Sequence, residues 1–154
     1  PPEGAVPETY AKALINYEDR RFYFHPGIDP LAVARAIRQN LSRKEVVSGA
    51  STITMQVVRI SRGRERSLKQ KLIESLLALK LDFTHSKKQI LALYAAHAPF
   101  GGNVVGLEAA AWRYFGRSAE ELSWGEAATL AVLPNSPSAI YIGKNQKLCC
   151  REKS

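Results

Sequence analysis

The sequence predicts a mainly α-helical fold, and three observations carry that expectation. No stretch alternates apolar and polar residues over more than a few positions, so sheet content should be small. Apolar residues instead recur at helical spacing, most clearly from Ser67 to Leu81, where Leu68, Leu72, Ile73, Leu76 and Leu77 share one side. Helix-start signals also recur. Asp29-Pro30 reads as an N-cap followed by proline at the first helical position, and Ser118 with Glu121 and Ser123 with Glu126 fit capping boxes.

In chain order, Pro7 to Tyr17 reads as a helix, with Pro7 in its first turn and Tyr10, Ala13, Leu14 and Tyr17 at helical spacing. It delivers Glu18 and Asp19 at or just past its C-terminus, and Pro26-Gly27 then breaks the chain. Leu31 to Leu41 is amphipathic, with Val33, Ala34, Ile37 and Leu41 against Arg35, Arg38 and Gln39; Ser42 to Val47 is a charged link. Ser48 to Gln56 is hydroxyl-rich, starts flexibly at Gly49 and reads most simply as a helix start capped at Ser51. Ser61 to Arg66 is a basic loop, and Lys87 to Ala98 is a helix stopped by Pro99 and Gly101-Gly102. Gly106 to Tyr114 is Ala-rich and helical, and Gly125 to Leu133 is a last helix ended by Pro134-Asn135-Ser136-Pro137.

The 154 residues suit one domain with a real core. A net charge of +8 suits an anionic partner: nucleic acid, phosphate or an acidic membrane surface. No apolar run is long enough to span a bilayer, and no signal-peptide pattern opens the chain. The start at Pro1-Pro2 suggests an excised piece of a longer protein. Cys149 and Cys150 are adjacent, which argues against a disulfide framework or a metal site.

The chemistry concentrates in Glu18 to Asp29, EDRRFYFHPGID. A glutamate at a helix end is usually just solvated. Here Phe22, Tyr23 and Phe24 could desolvate it, and Arg20 and Arg21 could hold phosphate, so Glu18 with Asp19 reads as a general base tuned by a second acid. His25, before Pro-Gly, reads as a brace for the loop. Glu74 lies three residues after Lys71, which fits either a surface ion pair or a second carboxylate on the same cleft; spacing leaves both open. Thr52, Thr54 and Gln56 supply neutral hydrogen-bonding groups. Arg59, Arg62, Arg64, Arg66, Lys69 and Lys71 form the densest basic run, either a solvated face or an anion-binding wall.

EDRRFYFHPGID, GASTITMQ, KLIE, KKQILALY and AAWRYFGR occur in the order of the motifs of glycosyltransferase family 51. The chain resembles this family, the peptidoglycan glycosyltransferase domain of class A penicillin-binding proteins and monofunctional transglycosylases, from about Tyr10 to Tyr141. The variants HAPFGGNVVGLEAA and LPNSPS look most like the 1C subgroup. The resemblance implies a lysozyme-like helical head lobe with a smaller membrane-facing jaw, here residues 30–47, over a domain spanning 1–146 that is incomplete at its C-terminus and followed by an atypical tail, 147–154. It implies polymerisation of lipid II into β-1,4-linked glycan strands, with inversion and release of undecaprenyl pyrophosphate, at the outer face of the bacterial inner membrane. By motif match Glu18 is the base and Glu74 a second catalytic carboxylate in the donor site. Asp19, Phe22, His25, Thr52 and Gln56 shape the cleft, and Arg59, Arg66 and Lys71 bind phosphate.

The same resemblance implies no required cofactor, while allowing a divalent metal, Mg or Mn, at the donor site. It implies lipid II and the growing glycan as partners, the membrane surface through the jaw, no nucleic acid, a place in a cell-wall synthesis complex, and a monomeric isolated domain. The chain departs from the usual motifs at Ala50, Met55, Gln70, Ala92 and Ala96. Rival expectations are a lysozyme-like lytic enzyme using a single glutamate acid, a basic helical nucleic-acid binder, and a lipid II binder without turnover.

Overall fold

Among the described residues the first helix, α1 (Glu8–Glu18), buries Tyr10 and Leu14 and packs against the last α-helix, α7 (Trp124–Val132), so the two ends of the described fold meet. The structure, a computed structural model, describes residues 6–43, 50–63 and 67–135, with the backbone alone at 40–43 and 68. Arg64, Arg66, Val46, Val47, Gly49 and everything after Asn135, including the two cysteines, lie outside the described residues; so does the side chain of Leu41. The fold is mainly helical, as the patterning predicts. Among the described residues the only sheet-like pairing is an isolated bridge, Pro99 to Val105.

Between the end helices run α2 (Pro30–Arg43), α3 (Ile53–Arg62), α4 (Leu68–Thr84), α5 (Lys87–His97) and α6 (Leu107–Phe115). Asp29 caps α2 as expected, its Oδ1 accepting from the backbone N–H of Leu31 and Ala32. Pro7 stands as the N-cap of α1 rather than inside its first turn. Both predicted capping boxes form, Ser118 with Glu121 on a short 3₁₀ turn and Ser123 with Glu126 on α7, and Ser86 with Gln89 makes another on α5. α3 is sandwiched between α4 and α5, and all of Ile53 to Val58 is buried. Its cap is Thr52, not Ser51: the Thr52 hydroxyl accepts from the Met55 N–H.

The main core joins Tyr10, Leu14, Phe22, Ile53, Ile90, Tyr94, Phe100 and Leu130, each fully buried. α4 departs from its expected orientation. The side carrying Leu72, Ile73 and Leu76 faces out, with Leu72 66% and Leu76 61% exposed, while Glu74 and Ala78 are buried. Leu77 and Leu81 pack at the edge, against Met55 and Val58 of α3. Periodicity locates an apolar stripe; it does not say whether that stripe or the small-residue side beside it meets the neighbour.

The reason for Ala78 on the inner side is the EDRRFYFHPGID segment, which crosses there. Gly27 has φ +68°, and a Cβ on it would lie 2.5 Å from the Ala78 carbonyl oxygen. The Thr52 hydroxyl donates to the Gly27 carbonyl. Asp19 accepts from His25 Nε2 at 2.8 Å and from the Ile53 N–H at 3.3 Å. Lys87 donates to the His25 carbonyl at 2.7 Å and to Asp82, and lies 4.6 Å from the Phe22 ring centroid. The segment is therefore fastened to α3, α4 and α5 at once. Gly27→Ala combines a left-handed backbone with a backbone clash, and we expect it to cost about 3 kcal/mol or more of unfolding free energy in a urea melt. An unchanged midpoint would mean this contact is not tight.

Candidate active site

Glu18 is the last residue of α1, where the helix dipole is unfavourable to a carboxylate. Neutral amide donors hold it there. Gln56 Nε2 donates to Oε2 at 2.8 Å, and Asn135 Nδ2 donates to Oε1 at 2.7 Å. Asn135 Nδ2 also donates to Gln56 Oε1 at 3.0 Å, and the Tyr94 hydroxyl donates to the same oxygen at 3.3 Å. Burial first, and then the Glu18 charge, push the Tyr94 hydroxyl far above the usual tyrosine range, so it remains a donor. Tyr10 is pushed up in the same direction, by burial, then Tyr94, then Glu18. The expected desolvating aromatics are elsewhere: Phe22 is buried under the loop, while Tyr23 and Phe24 are 57% and 82% exposed. Tyr94 and Tyr10 are the aromatics near enough to Glu18 to feel its charge.

Glu74 is the second buried carboxylate. It does not pair with Lys71; the Arg59 guanidinium spans both its oxygens, Nη2 to Oε2 at 2.8 Å and Nε to Oε1 and Oε2 at 3.2 and 3.1 Å. Arg59 Nη2 also donates to Ser51 at 3.3 Å. Gln56 and Arg59 are three residues apart on α3, so one helix face carries a tether for each of Glu18 and Glu74. A groove of about 1050 Å³ follows α3 between α4 and α5, lined by Gln56, Arg59, Arg62, Lys80, Tyr94 and Asn135 among apolar residues. Among the described residues Arg62, Lys71 and Lys80 make no salt bridge.

The remaining predicted residues fall in the support of the loop. Asp19, His25 and Thr52 make the contacts given above, and Phe22 is fully buried under Lys87. Arg21 is turned to Asp29 at 3.0 Å, and Arg20 to the Asn16 carbonyl at 3.2 Å. Arg66 lies outside the described residues. A divalent metal at Glu74 would have to share the carboxylate with the Arg59 guanidinium, which already donates to both its oxygens. Asp19, His25 and Asp29 do approach within 4.8 Å of one another. Their hydrogen bonds to each other, to Arg21 and to the Ile53, Leu31 and Ala32 N–H groups account for that grouping.

A family model described as transglycosylase matches residues 2–153. The chain belongs to the transglycosylase family. Penicillin-binding protein 1C of Escherichia coli is 48% identical over 135 residues, which is 88% of this chain and 18% of that protein. Penicillin-binding protein 1A of Aquifex aeolicus is 44% identical over 134 residues, 86% of this chain and 18% of its own length. Penicillin-binding protein 1A of Clostridium tetani is 42% identical over 141 residues, 88% and 18%. This transglycosylase chain thus spans about a fifth of the length of these relatives, 18% in each case.

Asn135, Tyr94 and Tyr10 are the members of the Glu18 environment that sequence reasoning missed. Asn135 read only as part of a helix stop, Tyr10 only as one of the helically spaced residues, and Tyr94 only as part of the KKQILALY motif.

Two outcomes follow from this geometry. Arg59→Ala strands a buried Glu74 charge and should cost about 3 kcal/mol in a denaturant melt, the low end for a broken buried pair because Arg59 is 21% exposed. Glu74→Gln in that background should recover part of the loss; no recovery would refute the pairing account. The tyrosines give a pH signature. Their folded pKa values lie above the unfolded value, so their contribution is complete below about pH 10 and is lost as pH rises beyond it. Phenolate absorbance during an alkaline titration should show Tyr10 and Tyr94 ionising only with unfolding, and Tyr94→Phe should remove one late-titrating group.

Proposed function

We propose that this transglycosylase domain polymerises lipid II into β-1,4-linked glycan strands, with Glu18 as the general base. The observation that carries this reading is the half-buried Glu18 carboxylate, held by neutral amides within a chain of the transglycosylase family. A carboxylate has about four lone-pair directions. Gln56 and Asn135 each use one, on different oxygens, which leaves acceptor capacity for a substrate hydroxyl. Glu18 takes the proton of the acceptor sugar's 4-hydroxyl. The oxygen attacks the anomeric carbon of the growing chain, and the bond to the pyrophosphate oxygen breaks with its electron pair on the leaving group. Displacement from the opposite face inverts the configuration.

Undecaprenyl pyrophosphate leaves as an anion and needs cations more than a proton. Arg59, Arg66 and Lys71 are proposed to meet it. Arg59 is preset by Glu74, whose role in the donor site is to hold that guanidinium, and Arg62 adds charge on the same helix. The membrane surface is proposed to meet residues 30–47. α2 turns Leu31 and Ile37 outward, 58% and 55% exposed, beside Arg35 and Arg38, as suits a basic amphipathic helix on anionic lipid at the outer face of the inner membrane. Among the described residues no helix is long and apolar enough to cross a membrane.

The test is polymerisation of labelled lipid II in detergent by the chain and by Glu18→Gln. Glycan strands are expected from the parent, with turnover lowered about 100-fold or more in the variant. Equal turnover by a folded Glu18→Gln would exclude Glu18 as the base, and cleavage of finished glycan by the parent would point to a lytic enzyme.

A further inference from the structure

The hydrogen-bond pattern around Glu18 admits one orientation of its amides. The Glu18 carboxylate only accepts, so Gln56 must present Nε2 to Oε2, which turns the Gln56 oxygen toward the Tyr94 hydroxyl. The Asn135 NH₂ group faces two acceptors, Glu18 Oε1 at 2.7 Å and Gln56 Oε1 at 3.0 Å. Flipping Asn135 would aim its oxygen at a carboxylate and a carbonyl oxygen together. Asn135 is therefore the piece that closes the network: one N–H fixes the base, and the other fixes the amide that fixes the base. It reaches Glu18 from 117 residues away, on the 3₁₀ turn Leu133–Asn135 that extends α7 beside α1. It also lines the groove along α3, so it stands where Glu18 and a ligand in that groove would meet.

We propose that Asn135 is a positioning residue for the base, setting both the direction of the Glu18 carboxylate and the ease with which it takes a proton. This rests on the reading of Glu18 as the base. Without Asn135, Glu18 keeps one tether at a helix end and can swing away from the acceptor hydroxyl. A carboxylate that loses an N–H donor also protonates more readily, so the fraction present as base falls at the acid side of the working range.

The experiment compares Asn135→Ala, Asn135→Asp and Glu18→Gln with the parent chain, on lipid II across pH, after circular dichroism has shown each to be folded. Asn135→Ala should lower kcat about tenfold with KM changed less than about twofold, and move the acid limb of the rate profile to higher pH. Asn135→Asp keeps the size of asparagine but faces Glu18 with a second carboxylate, so it should be worse than alanine and move the acid limb further. A packing role predicts the reverse order, with aspartate close to the parent, and that order would overturn the proposal.

An NMR measurement makes the test independent of turnover. The Asn135 side-chain amide protons should shift with acid titration in the parent and stop responding in Glu18→Gln. An amide that never responds would overturn the hydrogen bond itself. If Glu18→Gln is inactive but both Asn135 variants match the parent in kcat and acid limb, only the Asn135 assignment falls. If Glu18→Gln turns over like the parent, the base reading falls, and the assignment with it.

Discussion

The passage of Gly27 over the Ala78 carbonyl of α4, with a left-handed backbone that leaves no room for a side chain, is the tightest approach made by any described glycine of this fold. Much of the site depends on it. That contact places the loop after α1 against α4, while Thr52 ties the same glycine to the start of α3 and Asp19 ties the loop's beginning to Ile53. The start of α3 and the end of α1 are thereby held in one register. Any side chain at Gly27 would meet the α4 backbone at Ala78 and Leu79 and push outward the loop that follows Glu18.

α3 then acts as a common mount for two carboxylates treated in opposite ways. Glu18 is held by the uncharged amides of Gln56 and Asn135, near two tyrosines whose hydroxyls are pushed upward in pKa, and no cation among the described residues is bonded to it. Glu74 is buried and its charge is cancelled by Arg59. A group meant to accept a proton needs the first environment; a group meant to hold a guanidinium in place needs the second. The difference follows from which residue of α3 reaches each one, Gln56 or Arg59.

The helical class, the α2 cap and both capping boxes on Ser118 and Ser123 were legible in the sequence because each depends on residues within one turn of one another. His25 as a brace was legible for a similar reason, since its partner Asp19 is only six positions away. The outward face of α4 was not. Its apolar stripe is real, but the choice of face was made by Gly27 and Met55 from other parts of the chain. The surroundings of Glu18 were hidden too. Adjacent aromatics suggested Phe22, Tyr23 and Phe24 as its neighbours, whereas the tyrosines that feel its charge come from α1 and α5. Arg59 and Glu74 were both singled out, yet nothing in their spacing joined them across two helices.

The α1–α7 packing has a kinetic consequence. The loop and its ties to α3 join segments moderately close in sequence, but the Asn135–Glu18 bond closes a loop of 117 residues. Loop closure of that length carries a larger entropic cost and adds to the non-local contacts that slow folding. A chain that has folded from α1 through α5 would already own a core around Tyr94 and Ile90, with Glu18 tethered to Gln56 alone. Only when α7 docks does the second donor arrive. Completion of the proton-accepting centre is thus coupled to the arrival of the most distant part of the described fold, so a partially folded molecule would hold its glutamate without being fully set to use it.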